Sequence, residues 1–309
     1  MSGLEQFTVA VIFAAILWSW WLVIIRWRAG GVMVPFEPRR PAPWTGVDLA
    51  SIALVYLASN AAMALFLTGD PDIGASGEAD AAIDPARMPA LLMTGATVSL
   101  ATLVAAVVWI RHRRRADWTD LGLDLSRLPA DLFLGLAAFA VVSVPIYAMQ
   151  TGLTKWYEVI CDNFQLTPSE HPIVNALRAA EPGWGLWLSS LVSAVLVAPV
   201  VEEFLFRVLL QGWLESLGSD AAAQVDHGPM TADAIPSTSR RPPWAPIVLS
   251  SAVFALMHLA HGADVVPLFF FALALGYLYR QTHRLWPSMV VHVCLNACTL
   301  GMLWLGSPS

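Results

Sequence analysis

The chain has 309 residues, of which 57% are hydrophobic and only 13% are charged. Soluble domains are usually about 25% charged, so this composition, with a mean hydropathy of +0.62, predicts a polytopic membrane protein. The net charge of -6, without any basic cluster interleaved with aromatic residues, argues against a nucleic-acid partner. The three cysteines form no CxxC pair, so neither a disulfide framework nor a zinc knuckle is expected.

Apolar segments recur along the chain at lengths that suit bilayer spans. We expect spans at residues 7–25, 49–67, 88–110, 132–149, 184–201, 245–260, 265–279 and 285–305. In this arrangement every arginine group falls on one side, which the positive-inside rule makes cytoplasmic, and the N-terminus lies outside. These groups occupy residues 26–40, 111–115, 240–241 and 280–284. The predicted fold class is an all-α polytopic membrane protein of about eight transmembrane helices with an intramembrane polar site.

The fifth span contains charges that an apolar helix does not explain. The apolar segment 184–201 opens this span, and Glu202, Glu203 and Arg207 follow in its continuation, where a charge at the bilayer centre costs about 2.5 to 3.5 kcal/mol. Glu203 and Arg207 are four residues apart and are expected to form an ion pair on one helix face. Glu202 points about 100° away around the helix, has no local partner, and is therefore a candidate for proton transfer. Pro199 is expected to kink the helix just before the two acids.

Three further polar residues interrupt later apolar segments. His258 follows the stretch 250–257, and His292 and Asn296 lie in the last span. Their spacing of four places His292 and Asn296 on one helix face. A single histidine in a membrane helix is more often a packing residue that hydrogen-bonds another helix. Two histidines, an asparagine and a paired acid together indicate a site.

These residue types permit peptide hydrolysis in two ways. In one, Glu202 takes a proton from water, which His258 holds or polarises. His292 and Asn296 then donate hydrogen bonds to the oxyanion that develops on the scissile carbonyl. In the other, Glu202, His258 and His292 bind Zn²⁺ and Glu203 is the base. The chain has no H-E-x-x-H helix, so the residues alone leave this choice open.

The polar residues form three motifs that resemble a known family. In order, they are Glu202-Glu203-x-x-x-Arg207, Phe254-x-x-x-His258 and His292-x-x-x-Asn296. This set resembles the CPBP family, the type II CAAX prenyl endopeptidases and their bacterial relatives, also called the Abi family. The resemblance covers roughly residues 184–305. It departs from the family at Val208, where relatives commonly have glycine, and in the long polar loop at residues 218–243.

The resemblance implies an α-helical intramembrane protease that acts on a membrane-embedded or membrane-associated peptide or protein substrate. Its site would consist of Glu202, Glu203, Arg207, His258, His292 and Asn296. Zinc is kept as an optional cofactor, held by Glu202, His258 and His292 if a metal is used. The chain would then divide into N-terminal transmembrane helices at 1–180 and a CPBP-type core at 184–305 that includes the cytoplasmic loop 218–243. A bacterial cell membrane is the expected location.

Two other functions use the same kinds of residue. A non-proteolytic membrane scaffold or bacteriocin-immunity protein would keep the polar cluster for folding and partner binding. A proton-coupled transporter also uses intramembrane glutamate and histidine, but the sequence has no internal repeat of the kind that transporters show. His261 and His283 match no motif, and we expect both at the membrane interface.

Overall fold

The computed structural model describes residues 17–18, 20–26, 28–68, 87–165, 172–178, 183–225 and 244–306. All the regular secondary structure in these residues is helical. Six of the helices are long and apolar enough to cross a membrane. The predicted all-α polytopic membrane fold is therefore confirmed. Most of the first predicted span, 7–25, lies outside the described residues.

Among the described residues, eight helices follow residue 45, besides one short 3₁₀ segment. The first four are α1 (Gly46–Thr68), α2 (Met88–Arg114), α3 (Leu128–Phe164) and the short α4 (Pro172–Arg178). The continuous helical run at residues 184–225 is α5, and α6 (Ala245–Leu256), α7 (Val265–Thr282) and α8 (Leu285–Gly306) complete the chain. Each predicted span from the second to the eighth thus corresponds to one helix.

Two of these helices differ in length from the predicted spans. The sixth predicted span, 245–260, is a helix of 12 residues that ends at Leu256 and is followed by a 3₁₀ segment, Leu259–Asp264. Gly262 adopts a φ of 63° in this segment, which glycine tolerates and which lets the chain turn back into α7. The fourth span, predicted at 132–149, continues as α3 to Phe164, because no proline stops the helix after residue 149.

Helix α5 contains two π-helical segments, one on each side of the acidic residues. Its segments are Trp184–Ser190, the π-helical Leu191–Val197, the α-helical Ala198–Glu203, the π-helical Phe204–Gln211 and Gly212–Val225. The first π-helical segment ends at Val197, two residues before Pro199, which has no backbone N–H to continue the ladder. The expected disturbance at this proline therefore takes the form of a wider helical turn, an arrangement that is frequent at functional sites.

Two glycines allow the helices around the polar residues to approach closely. A Cβ atom on Gly135 of α3 would lie 2.6 Å from Cβ of Val290 on α8. A Cβ atom on Gly276 of α7 would lie 2.9 Å from both Gln211 Oε1 on α5 and Ile247 Cγ2 on α6. Any larger side chain would push these helices apart, so both glycines help to define the space between α3, α5, α7 and α8.

The hydrophobic core has two main parts that flank the polar residues. The first joins α1, α2 and α5 and includes Val201, Phe204 and the fully buried Val208, so the valine that departs from the family pattern packs in the core. The second joins α3, α7 and α8 and includes Val291 and Leu295. The polar residues of α5 and α8 therefore lie where the two parts meet.

A charged cluster ties the ends of the helices together, and we call it the clasp. It consists of Glu37, Arg39, Arg40, Asp117, Asp120, Asp131 and Arg284. The segment before α1 enters it, since the Glu37 N–H donates to Gln281 O at 2.8 Å. His283, which we expected at the membrane interface, is instead 7% exposed and donates from Nδ1 to Glu37 O at 2.7 Å. The side chain of His261 lies outside the described residues.

Candidate active site

Glu203 and Arg207 form the ion pair that their spacing predicts. Both side chains have no exposed surface, and Arg207 Nε lies 3.2 Å from Glu203 Oε2. Within the described part of the chain, the other two guanidinium nitrogens have no hydrogen-bond partner. The guanidinium carbon lies 5.6 Å from the ring centroid of Phe254, within range of a cation–π interaction. Because either charge alone would be very costly where no side-chain surface is exposed, Glu203 and Arg207 depend on each other.

His292 of α8 is held in place by Glu203. Its Nδ1 donates to Glu203 Oε1 at 3.0 Å, and only 3% of the residue is exposed. A carboxylate is only an acceptor, so this contact fixes which ring nitrogen carries a proton. The other nitrogen, Nε2, then faces Glu202, whose Oε2 lies 3.6 Å away. The edge of the Phe271 ring packs against the imidazole, with 5.2 Å between the ring centroids, and restricts its rotation.

The two adjacent glutamates have different surroundings. Glu203 is sealed between Arg207 and His292, whereas the side chain of Glu202 is 24% exposed and lines a cavity. Their positions on the helix explain this, since consecutive residues point about 100° apart. Glu202 is therefore the carboxylate that a substrate or a water molecule in the cavity can reach.

His258 and Asn296 complete the polar lining and are fixed by backbone contacts. His258 follows α6 and donates from Nδ1 to Phe254 O at 2.8 Å, with its ring 4.7 Å from that of Phe254. Asn296 donates from Nδ2 to Ala194 O at 2.8 Å. In the π-helical register, the partner of this carbonyl would be the N–H of residue 199, which is a proline and has none. Asn296 thus supplies the donor that Pro199 cannot.

The site residues that face the cavity come from three separate helical stretches and meet around one space of about 280 Å³. They are Glu202, His258, His292 and Asn296. From them the cavity extends along α8 to Leu300 and Leu303, away from the clasp, between walls formed by α3, α4, α5 and α7. A volume of this size accommodates several water molecules or part of a peptide.

In this structure, the residues that the resemblance names for zinc do not form a ligand set. Among the described residues, no three His, Cys, Asp or Glu side chains are placed to hold a metal ion. His258 and His292 each donate from Nδ1 to a protein oxygen, as zinc-binding histidines usually do, and His292 Nε2 lies 3.6 Å from Glu202 Oε2. A metal held by Glu202, His258 and His292 would activate a water molecule, and the protein groups alone also permit hydrolysis.

Reasoning from the sequence did not find three further residues that line the same cavity. They are Gln150 of α3, Ser190 of α5 and Asp264 at the start of α7. Each is a polar residue within or beside an apolar span, which is the same signal that drew attention to Glu202. They match no motif, so only their common position in the folded chain connects them.

Comparison with protein families gives one match, to the type II CAAX prenyl endopeptidase Rce1-like family, over residues 183–298. The chain carries a domain of this family. The family resemblance of the three motifs is thus confirmed, and the CAAX endopeptidase domain contains all six predicted site residues. Neither the curated proteins nor the solved structures give a match to the chain. Helices α1 to α3 lie before the matched region and extend the domain into a larger multi-pass membrane protein.

Proposed function

We propose that the protein is an intramembrane endopeptidase that hydrolyses peptide bonds of membrane-associated substrates. The observation that carries this proposal is the difference between the two glutamates. Glu202 reaches a cavity that it shares with His258, His292 and Asn296, while Glu203 is sealed behind it. The CAAX endopeptidase domain at residues 183–298 supports the same activity.

Glu202 acts as the general base in this mechanism. It takes a proton from a water molecule that His258, which lines the same cavity, holds in place, and the water oxygen bonds to the scissile carbonyl carbon. The carbon–nitrogen bond then breaks, and Glu202 returns the proton to the leaving nitrogen. The reaction consumes one water molecule and leaves the enzyme unchanged.

His292 and Asn296 stabilise the oxyanion in this mechanism. Asn296 uses one N–H on Ala194 O and has a second N–H left for the substrate. His292 can donate from Nε2 when its ring is protonated, and Glu203 at Nδ1 stabilises that positive charge. Arg207 acts through Glu203 and does not line the cavity, so we assign it a positioning role.

The test is cleavage of a membrane-presented peptide library, with prenylated CAAX-type peptides included, by the purified protein in lipid bilayers. Glu202→Gln keeps the shape of the side chain but removes the base, so we expect cleavage to fall at least about a hundredfold. Glu158→Gln, which makes the same change at an exposed position on α3, is the matched control and should cleave like the wild type.

Two outcomes would contradict parts of this proposal. Loss of activity with a chelator, restored by Zn²⁺, would replace the metal-free mechanism with the zinc mechanism. If the wild type cleaves nothing, and Glu202→Gln still supports the cellular role of the protein, then the polar cluster is structural. The scaffold or immunity function would in that case replace the protease.

A further inference from the structure

The cavity contains a second charged group, remote from the catalytic residues. Asp264 occupies the N-cap position of α7, where an aspartate usually accepts a hydrogen bond from the first turn of the helix. Here it makes no such bond. Its Oδ1 accepts instead from Gln150 Nε2 of α3 at 2.9 Å, and both residues line the cavity. The carboxylate is thus directed into the cavity and away from its own helix.

The charge of Asp264 is not balanced by the protein groups that the structure describes. No Lys, Arg or His side chain among the described residues forms an ion pair with Asp264, and the amide of Gln150 is neutral. The nearby cavity wall is apolar, with Leu268, Leu300 and Leu303. A carboxylate in such surroundings is stabilised most by a cationic group that donates hydrogen bonds to it.

A second polar group in the same cavity also lacks a partner. The Ser190 hydroxyl of α5 is fully buried, lines the cavity, and has no hydrogen-bond partner within the described residues. Buried polar groups in proteins are nearly always satisfied, so an unsatisfied one in a cavity indicates a bound group. The part of the cavity beyond the catalytic residues therefore has the properties of a binding site.

We propose that Asp264, oriented by Gln150, binds a basic side chain, lysine or arginine, of the peptide substrate. This inference rests on the proposed protease function and specifies which substrates the same site selects. A backbone N–H of the substrate could also bond the carboxylate, but it would leave the negative charge without a counter-charge in an apolar wall. A basic side chain provides both the hydrogen bond and the charge.

Contacts between α3 and α8 give the position of this basic residue in the substrate. Tyr147 donates from its hydroxyl to Leu295 O at 2.9 Å, and the hydroxyl also lies 3.0 Å from Thr299 Oγ1. Gln150 lies nearly one turn further along α3, so it is level with Thr299 or beyond it. Thr299 is about 10 Å along α8 from His292. An extended peptide covers this distance in about three residues, so the basic residue lies about three positions from the scissile bond.

The experiment measures kcat/KM in bilayers for peptides that differ only in one residue. Lys, acetyl-Lys, Arg and Gln are placed in turn at each of about five positions on either side of the cleaved bond. At one position near the third, we expect Lys and Arg to be preferred over Gln and acetyl-Lys by about tenfold, as for a hydrogen bond between charged groups. Acetylation removes the charge of lysine, so the comparison of the Lys and acetyl-Lys peptides tests the proposal on the wild-type protein.

Variants of Asp264 test whether this residue causes the preference for Lys and Arg peptides. Asp264→Asn keeps an acceptor for Gln150 but removes the charge, and the Lys-to-Gln ratio should fall below about twofold. For Asp264→Lys, a peptide with Glu at that position is added, and it should be cleaved faster than the Lys peptide. Asp162→Asn, at an exposed position on α3, is the matched control and should keep the wild-type ratio.

The outcomes separate this inference from the protease proposal. If the wild type cleaves Lys and Gln peptides equally at every position, or if Asp264→Asn keeps the preference, the basic subsite is overturned and the protease function stands.

Binding of fluorescent peptides to the Glu202→Gln variant supplies a readout that needs no cleavage. If no peptide is cleaved but the Lys peptide still binds about tenfold more tightly, and Asp264→Asn removes that difference, the subsite stands and the protease function fails. If neither cleavage nor binding depends on the basic residue, the subsite is overturned.

Discussion

Two clusters of charged residues hold α8 and its neighbours, and they differ in their exposure to solvent. In the candidate active site, Glu203 and Arg207 have no exposed surface and pair with each other. In the clasp, Arg40 is 59% exposed and pairs with both Asp117 and Asp120. The first pair is closed to solvent and only Glu203 has a second partner, His292, whereas Arg40 has two carboxylate partners and solvent nearby.

The difference shows what each cluster contributes. A charge that remains in an apolar interior after its partner is lost cannot reach water, so each member of the active-site pair requires the other. Arg40 and Asp117 of the clasp are exposed and can be solvated when a partner is removed, so this part of the clasp tolerates change. Of the two clusters, only the buried one positions a histidine against an accessible carboxylate, and for this reason we propose it as the reactive one.

The largest effect is expected from Arg207→Met. It leaves Glu203 charged and buried, so we expect a loss of about 3 to 5 kcal/mol in the free energy of unfolding. It also releases Glu203 from one of its two partners, so the orientation of His292 and the cleavage activity should both be lost. Tryptophan fluorescence during thermal unfolding in detergent, with the peptide assay, measures both.

The double variant Glu203→Gln/Arg207→Met separates stability from catalysis. It removes both buried charges together, so we expect it to recover most of the stability that the single variant loses. Activity should stay low, because a neutral glutamine no longer stabilises the protonated form of His292. An unfolding temperature of Arg207→Met equal to that of the wild type would contradict the mutual dependence of the pair.

A smaller effect is expected in the clasp from Arg40→Met. Its guanidinium is mostly exposed, and Asp120 also accepts a hydrogen bond from the Asp117 N–H at 2.8 Å, so neither carboxylate is left without a donor or solvent. We expect a loss of about 1 kcal/mol or less and unchanged activity per folded molecule. A loss as large as that of Arg207→Met would mean that the two clusters do not differ as we describe.

Helix positions and the ion pair were predictable because their causes lie within single segments. An apolar run must satisfy its backbone internally, so it forms a helix wherever it is long enough to cross the membrane. Glu203 and Arg207 pair because residues four apart are adjacent on a helix. The continuation of α3 to Phe164 was less predictable, since residues 150–164 are too polar to be recognised as part of a bilayer span.

Contacts between helices could not be predicted from the separate segments. The motifs indicate that Glu203 and His292 share a site, but not that Glu203, rather than Glu202, holds the imidazole. Asn296 was assigned to the oxyanion, and its bond to Ala194 O depends on a π-helical turn that the sequence does not reveal. The burial of His283 likewise depends on the segment before α1, which is distant in the chain.

The smallest effect concerns the acid sensitivity of the clasp. A hydrogen bond from the Thr119 hydroxyl at 2.5 Å, helped by the Asp120 N–H, lowers the pKa of Asp117. A folded-state pKa below the unfolded value of about 3.9 means that Asp117 stabilises the protein above that pH. This contribution is lost as the pH falls through the folded pKa.

Thr119→Val removes the main cause of the lowered Asp117 pKa, so the Tm of this variant should lie slightly below that of the wild type at neutral pH and fall less steeply below about pH 4. The effect is small because Asp117 is exposed and solvent screens its interactions. Identical Tm profiles for the two proteins across this range would mean that the Thr119 hydrogen bond does not stabilise ionised Asp117. The arginines alone would then hold the charged residues of the clasp in place.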